Sequence, residues 1–220
     1  MLVLLTHSGG MPESPSPTAT ADEWDERYSS LADQLPDMAP SAALIREVGD
    51  LAPGTALEIG CGLGADAVWL ASRGWRVTAL DVSQVALDRA TQRSREAGVE
   101  ITWHCGRLED MPLPPNGFDL VTAHYPALRH SPGHDAERAL LAAVAPGGTL
   151  LVVHHADVDV EKAKSYGFDP ADYLGHDDVV ELLSDGWEVS VDRRHPRDVP
   201  AGLEGQHTHD DIIRARRLTR

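Results

Sequence analysis

The sequence predicts a doubly wound α/β fold, with seven strands in a mostly parallel sheet closed by a C-terminal antiparallel hairpin. Three observations carry this. Strand and helix signals alternate along residues 56–154, as parallel strands joined by crossover helices require. The run Thr149-Leu150-Leu151-Val152-Val153-His154 is almost wholly apolar, as suits a strand buried on both faces. Residues 187–191 and 209–216 are strand-like with no helical pattern between them, so they read as a hairpin with a long connection. In such sheets ligands bind outside the carboxyl ends of the strands, so chemistry is expected in the loops after strands one to five.

Each element has its own warrant. Residues 21–35 read as a helix, since Trp24, Tyr28 and Leu31 recur on one face. Residues 41–50 read as a second helix, with Ala42, Ile45 and Gly49 on one side, and Pro53-Gly54 ends that stretch. Residues 56–59 form a short apolar strand that runs into glycines. Residues 65–73 are helical and stop at Gly74, and residues 75–80 are a strand ending at Asp81. Ser83 can cap a helix that runs to Ala97 and stops at Gly98. Residues 99–104 and 118–123 are the third and fourth strands. Residues 134–144 are helical, Pro146-Gly147-Gly148 is a turn, and residues 149–154 are the fifth strand. A helix at 177–183 precedes the hairpin. No internal repeat is present.

A chain of 220 residues fits one α/β domain, taken as residues 21–220, with a core large enough to be stable without staples. Pro, Ser and Thr dominate residues 11–20, so residues 1–20 are expected to be a disordered N-terminal segment, with Met11 an alternative start. The apolar stretch Met1–Leu5 lacks a basic flank and is too short for a signal or membrane-spanning segment. Two cysteines, Cys61 and Cys105, argue against a disulfide framework and for the cytoplasm. A formal net charge of −16 argues against nucleic acid or an anionic membrane as partner. The one dense basic run, Arg214, Arg216, Arg217 and Arg220, reads as a solvated strand end. A monomer or homodimer is expected.

The segment Glu58-Ile59-Gly60-Cys61-Gly62-Leu63-Gly64 follows a strand and opens a helix. Glycines there let the backbone approach a ligand closely, and the helix N-terminus offers free N–H groups. About twenty residues on, Asp81 ends strand two, where a carboxylate can accept from a ribose diol. Each feature alone has a bland reading: a tight turn for the glycines, a helix cap for Asp81. Together they point to a nucleoside-type cofactor.

The loop reads G-x-G-x-G behind an acidic residue, whereas the dinucleotide fingerprint is G-x-G-x-x-G. Residues 57–64 resemble motif I of the class I S-adenosylmethionine (SAM)-dependent methyltransferases, and Asp81 resembles their ribose-binding acid. Gly106-Arg107-Leu108-Glu109-Asp110-Met111-Pro112, then Phe118-Asp119-Leu120-Val121, then Ala145-Pro146-Gly147-Gly148-Thr149-Leu150, resemble their later motifs in order. Trp24-Asp25-Glu26-Arg27-Tyr28 is similar to the N-terminal helix of small members such as tellurite-resistance and thiopurine methyltransferase-like enzymes.

The resemblance implies a Rossmann-like fold, SAM as cofactor with S-adenosylhomocysteine as product, and methyl transfer to a small molecule. It implies that Glu58, Gly60, Cys61 and Gly62 form the cofactor loop, with Gly60 and Gly62 facing the methionine part of SAM, that Asp81 holds the ribose, and that Val82 packs on adenine. Tyr28 would help close over the cofactor, or it is only the packed face of its helix. Arg107 stands where relatives commonly carry an aspartate that accepts from the adenine amino group. Arginine has donors only, so Glu109 or the backbone at Leu108 would have to serve.

Methyl transfer needs a general base only when the acceptor must lose a proton. His124, after strand four, and His154 and His155, at the end of strand five, are the candidates. Imidazole titrates near neutral pH, and the bland reading for each is a hydrogen-bonding pocket residue. His124 is the best choice, because that loop faces the methyl group in relatives. His207 and His209 lie on one face of a strand but read as exposed rather than as metal ligands, since no H-E-x-x-H or paired C-x-x-C spacing supports them. Cys61 reads as a small residue in a tight turn.

Residues 158–175 read as a solvated acidic loop. If that loop lined the pocket, Asp157, Asp159, Glu161, Asp169 and Asp172 would favour a cationic or polar acceptor. Two other functions remain open at this point: an NAD-dependent oxidoreductase and a non-catalytic SAM-binding protein.

Overall fold

The computed structural model describes residues 21–30, 39–165, 169–197 and 208–219. Expectations for residues 1–20, for the far end of the first helix beyond Ser30, and for His207 and Arg220 lie outside the described residues. The helices are α1 (Ala21–Ser30), α2 (Ala42–Val48), α3 (Ala65–Ser72), α4 (Gln84–Ala97), α5 (Asp135–Ala143), α6 (Val160–Ser165) and α7 (His176–Leu182). The strands are β1 (Thr55–Ile59), β2 (Arg76–Asp81), β3 (Ile101–Cys105), β4 (Phe118–His124), β5 (Val144–His155), β6 (Trp187–Pro196) and β7 (His209–Arg217).

The seven strands form one sheet in the order β3-β2-β1-β4-β5-β7-β6. The first five are parallel, while β7 pairs antiparallel with both β5 and β6, as the hairpin expectation required. The strand order reverses between β1 and β4, which places the switch-point crevice at their carboxyl ends.

Side chains alternate across the sheet with period two, so each central strand feeds two cores. Leu57, Val121, Ala123, Leu150, Val152 and Ile213 pack on one face with Leu140 of α5 and Val179 of α7. Ala56, Leu120, Leu151, Val153 and Ile212 pack on the other with Leu44 of α2, Leu70 of α3 and Leu87 of α4. Ser83 caps α4 by accepting the Ala86 N–H at 3.1 Å, and Gly98 ends that helix in the left-handed region.

Several boundaries differ from the sequence reading. Val144 leaves the fifth helix for β5. Pro146-Gly147-Gly148 is not a free turn but an irregularity inside β5, where the pairing jumps from Phe118↔Val144 to Leu120↔Thr149. The segment 158–175 is not all loop: it carries α6 and a 3-10 turn, Pro170–Asp172, N-capped by Asp169. A further 3-10 turn, Leu108–Asp110, follows β3. The helix expected at 177–183 begins one residue earlier, at His176, and β6 continues to Pro196.

Candidate active site

A cleft of about 910 Å³, open solvent at its mouth included, lies over the carboxyl ends of β1, β2 and β4. It brings together Tyr28, Gly60, Asp81, Val82, Leu108, Glu109 and His124 from the predicted set. Glu58, Cys61 and Gly62 do not line it and stand behind its wall. Residues the sequence reading left out also line it: Trp24 of α1, Tyr125 and the strap 126–129 after β4, and Tyr173.

The glycine loop is held by backbone that only glycine adopts readily. Gly60, Gly62 and Gly64 have φ of +68°, +51° and +74°. A Cβ on Gly64 would stand 2.8 Å from the Ala90 methyl, and one on Gly62 would stand 2.9 Å from the Tyr28 hydroxyl. A Cβ on Gly60 would meet nothing within 4 Å, as expected of the glycine that faces the cleft.

Asp81 ties the loop to β2. Its Oδ2 accepts the Gly62 N–H at 2.8 Å and its Oδ1 accepts the Ser83 N–H at 2.9 Å. Each carboxylate oxygen keeps a second lone pair for a ligand hydroxyl. Burial raises the Asp81 pKa, and the two N–H bonds pull against that rise. Ser83, not Asp81, caps α4, so the bland cap reading of Asp81 does not hold.

Helix α1 lies across this region and packs against α4. Asp25 Oδ1 accepts from the Ser83 hydroxyl at 2.5 Å and from the Val85 N–H at 3.0 Å, which fixes α1 on the N-terminus of α4. Burial, with Asp81 nearby, raises the Tyr28 phenol pKa and keeps it protonated. Arg27 is buried with Nε and one terminal nitrogen unpartnered, and burial lowers its pKa. No local pattern signals this burial, because an arginine beside two acids reads as a solvated face.

Period-two alternation puts Glu58, Thr122 and His124 on the sheet face that α3 covers. There His124 Nδ1 lies 2.7 Å from Asp66 Oδ2, and Asp66 Oδ1 accepts the Ser41 N–H at 2.6 Å. His124 Nε2 lies 3.3 Å from the Thr122 hydroxyl. Burial pushes the Asp66 pKa up, but the His124 hydrogen bond and charge and the Ser41 N–H outweigh it, so the net shift is downward. Glu58 Oε2 is buried without a partner, and burial, with Asp66 nearby, holds its pKa well above the usual carboxylate range. Burial, with Glu58 and Asp81 nearby, also raises the Cys61 thiol, which disfavours the thiolate that a nucleophile needs.

Tyr125 follows His124 in the left-handed region, φ +52°, an uncommon conformation for a bulky residue that often marks functional sites. Its ring stacks on His155 at 4.0 Å, Arg197 lies 5.1 Å from the ring centre, and its hydroxyl donates to Asp210 Oδ2 at 2.9 Å. His155 thus buttresses the cleft from below. His154, one residue earlier, points to the opposite face, where its Nε2 lies 3.1 Å from the Leu174 carbonyl and its ring meets His176 edge-on. Burial pushes the His154 pKa down to about 4. Of the three candidate histidines, only His124 lines the cleft.

His209 sits at the start of β7 with its Nδ1 2.9 Å from the Thr208 hydroxyl. Among the described residues no group of three potential metal ligands converges.

Residues 56–148 match a family model described as a methyltransferase domain. The ubiquinone biosynthesis O-methyltransferase of Chromobacterium violaceum is 37% identical over 97 residues, which are 43% of this chain and 41% of that protein. The chain spans about half or less of the length of the curated relatives it matches. A solved structure from work on the conversion of a disulfide into a thioacetal in echinomycin biosynthesis superposes with a TM-score of 0.69 at 24% identity, covering 90% of this chain and 93% of that one. The phosphoethanolamine N-methyltransferase 2 of Haemonchus contortus, solved with SAM, superposes with a TM-score of 0.60 at 15% identity, over 92% of this chain and 54% of that one. Both likenesses concern the fold. The family match thus runs from β1 into β5, with the motif set on the switch-point loops, and over that stretch the chain is similar to a methyltransferase domain.

Proposed function

We propose that this protein transfers a methyl group from SAM to a small-molecule acceptor, at oxygen, nitrogen or sulfur. One observation carries the reading: a single cleft runs from Asp81 and Val82, past Gly60, to His124 and Tyr125. Cofactor residues and a candidate base therefore share one space. The relative from Chromobacterium violaceum, a ubiquinone biosynthesis O-methyltransferase, supports a small acceptor.

In this reading Asp81 accepts the ribose hydroxyls on its two remaining lone pairs. Val82 and Leu108 flank the adenine, and Gly60 gives way to the methionine portion. Arg107 is paired to Glu109 at 2.6 Å, so Glu109 keeps acceptor capacity for the adenine amino group while Arg107 neutralises its charge. Glu58, Cys61 and Gly62 shape the loop from behind, and Tyr28 covers it. Bound SAM supplies a methyl group already activated on a sulfonium. The protein aligns the acceptor and keeps water out.

When the acceptor carries a proton, His124 removes it. Asp66 would hold the Nδ1 side of the ring and Nε2 would take the acceptor's proton, while SAM, when bound, would supply the methyl group with S-adenosylhomocysteine as the leaving group. The domain acts in the cytoplasm as a monomer or homodimer, without nucleic acid or membrane. Among the described residues no helix is long and apolar enough to cross a membrane.

The test follows S-adenosylhomocysteine release with thiol, hydroxyl and amine acceptors in wild type and His124→Ala. Loss of turnover by about a hundredfold, with product affinity kept, supports the base role. Equal turnover removes His124 from it, and a folded wild type that releases nothing with any acceptor removes the activity.

A further inference from the structure

We infer that the acceptor half of the cleft is built for a planar organic carboxylate whose charge Arg129 receives, an inference that rests on the methyltransferase reading of the cleft.

The strap after β4 is fixed in place. The Leu174 N–H donates to the Leu128 carbonyl at 2.8 Å, the His130 N–H donates to the Asp172 carbonyl at 3.0 Å, and Arg129 pairs with Tyr173 in an antiparallel bridge. Arg129 and Tyr173 therefore stand opposite one another on a preformed wall, and both line the cleft.

The Arg129 guanidinium lies 5.7 Å from the Tyr173 ring centre. Its nearest carboxylate, Asp172, is 4.0 Å away, beyond hydrogen-bond distance, and that side chain is 43% exposed. The other arginine of the cleft, Arg107, is closely bound to Glu109. Arg107 spends its Nε on Glu109, whereas Arg129 makes no hydrogen bond through its guanidinium among the described residues, so its whole fork is left for a ligand. A guanidinium fork suits a carboxylate in two-point contact better than a neutral amide.

Three of the five acidic residues that would argue for a cationic acceptor are turned to other work. Asp157 pairs with Arg194, Asp159 accepts the Lys162 N–H at 3.0 Å, and Asp169 accepts the Ala171 N–H and pairs with Lys164 at 3.2 Å. None of the three lines the cleft. In a chain of net charge −16, an anion settles only where a local cation offsets the field. Trp24, Tyr125 and Tyr173 also line the cleft, and an aromatic lining favours a planar acceptor.

The probes are benzoate and benzamide, equal in shape and different in charge. Each is titrated into the full chain saturated with S-adenosylhomocysteine, and backbone amide shifts are followed by NMR. Benzoate should shift Arg129, Tyr173 and Tyr125 saturably, with benzamide weaker by about tenfold. Arg129→Gln should erase that difference, and Arg129→Lys should keep part of it. S-adenosylhomocysteine affinity should stay within about twofold in both variants, and the unchanged backbone pairing of the strap should keep them folded. No saturable shift with benzoate, an equal response to benzamide, or the same preference in Arg129→Gln overturns the inference. Weakened S-adenosylhomocysteine binding in Arg129→Gln also overturns it, assigning Arg129 to the cofactor's own carboxylate. A folded wild type that does not take S-adenosylhomocysteine removes the methyltransferase reading itself, and this inference with it.

Discussion

Replacing Asp66 by Ala should destabilise the protein by about 3 kcal/mol. The Asp66 carboxylate makes two short bonds, one to His124 Nδ1 at 2.7 Å and one to the Ser41 N–H at 2.6 Å, with 12% of its side chain exposed. Hydrogen bonds to charged groups contribute about 1.5–3 kcal/mol each. Their sum is an upper bound, because Asp66 also faces Glu58, whose raised pKa records the repulsion. Relief of that repulsion returns part of the loss. For a chain of this length about 3 kcal/mol corresponds to a melting shift of about 6–12 °C. Calorimetry on wild type, Asp66→Ala, His124→Ala and the double variant measures it, and the cycle should show about 1–2 kcal/mol of coupling. Asp66 has a depressed folded pKa, so its contribution is present above the unfolded carboxylate range and fades as pH falls through the folded value. The variant should therefore lose its deficit in acid. A melting shift under about 2 °C, or strict additivity in the cycle, would refute the pairing of Asp66 with His124.

Three further outcomes follow from other residues. The His154 pKa is pushed down to about 4 from 6.5 by burial, so its stabilisation is complete above pH 6.5 and is lost as pH falls towards 4. Urea unfolding of wild type against His154→Gln should show a difference that closes by about 3 kcal/mol across that window, and a pH-independent difference would contradict the assignment. Gly64→Ala should cost about 2 kcal/mol or more, since its Cβ would meet Ala90 and Trp103 at left-handed φ. Gly60→Ala should cost less stability and more S-adenosylhomocysteine affinity, so calorimetric melts and titrations that rank the two variants the other way would sink that division of roles. Asp25→Ala removes an acceptor at the N-terminus of α4 and should cost about 1 kcal/mol, while trypsin cleavage at Arg27 accelerates; unchanged cleavage would show that Asp25 does not fasten α1.

The fold was largely legible in the sequence because its signals are local. Ser83 and Gly98 bracket α4 as capping chemistry requires, and the strands from Thr55 to His155 announce themselves as apolar runs. The Asp81 and glycine-loop pairing was legible because both ends of it are motif positions. What escaped is tertiary. Asp66 reads as an ordinary acid in the first turn of a helix, and its partner His124 is 58 residues away. Arg27 is buried by packing that no local pattern records, and Arg129 matters only because the strap zips onto residues 172–174. The candidates His154 and His155 could have been separated from sequence, since neighbours on a strand face opposite ways. Residues 158–175 read as loop because α6 is one short helix rich in charge, with too few apolar positions to show a period.

The Asp81 cleft is tested most directly as a SAM site by isothermal titration of S-adenosylhomocysteine, and in parallel NADH, into wild type, Asp81→Asn and Asp81→Ala. Wild type should take S-adenosylhomocysteine and not NADH. Asp81→Asn, which can still accept on one oxygen, should weaken binding by about tenfold, and Asp81→Ala should weaken it further. A folded wild type that ignores S-adenosylhomocysteine, or binds NADH in its place, would contradict the assignment of a SAM site.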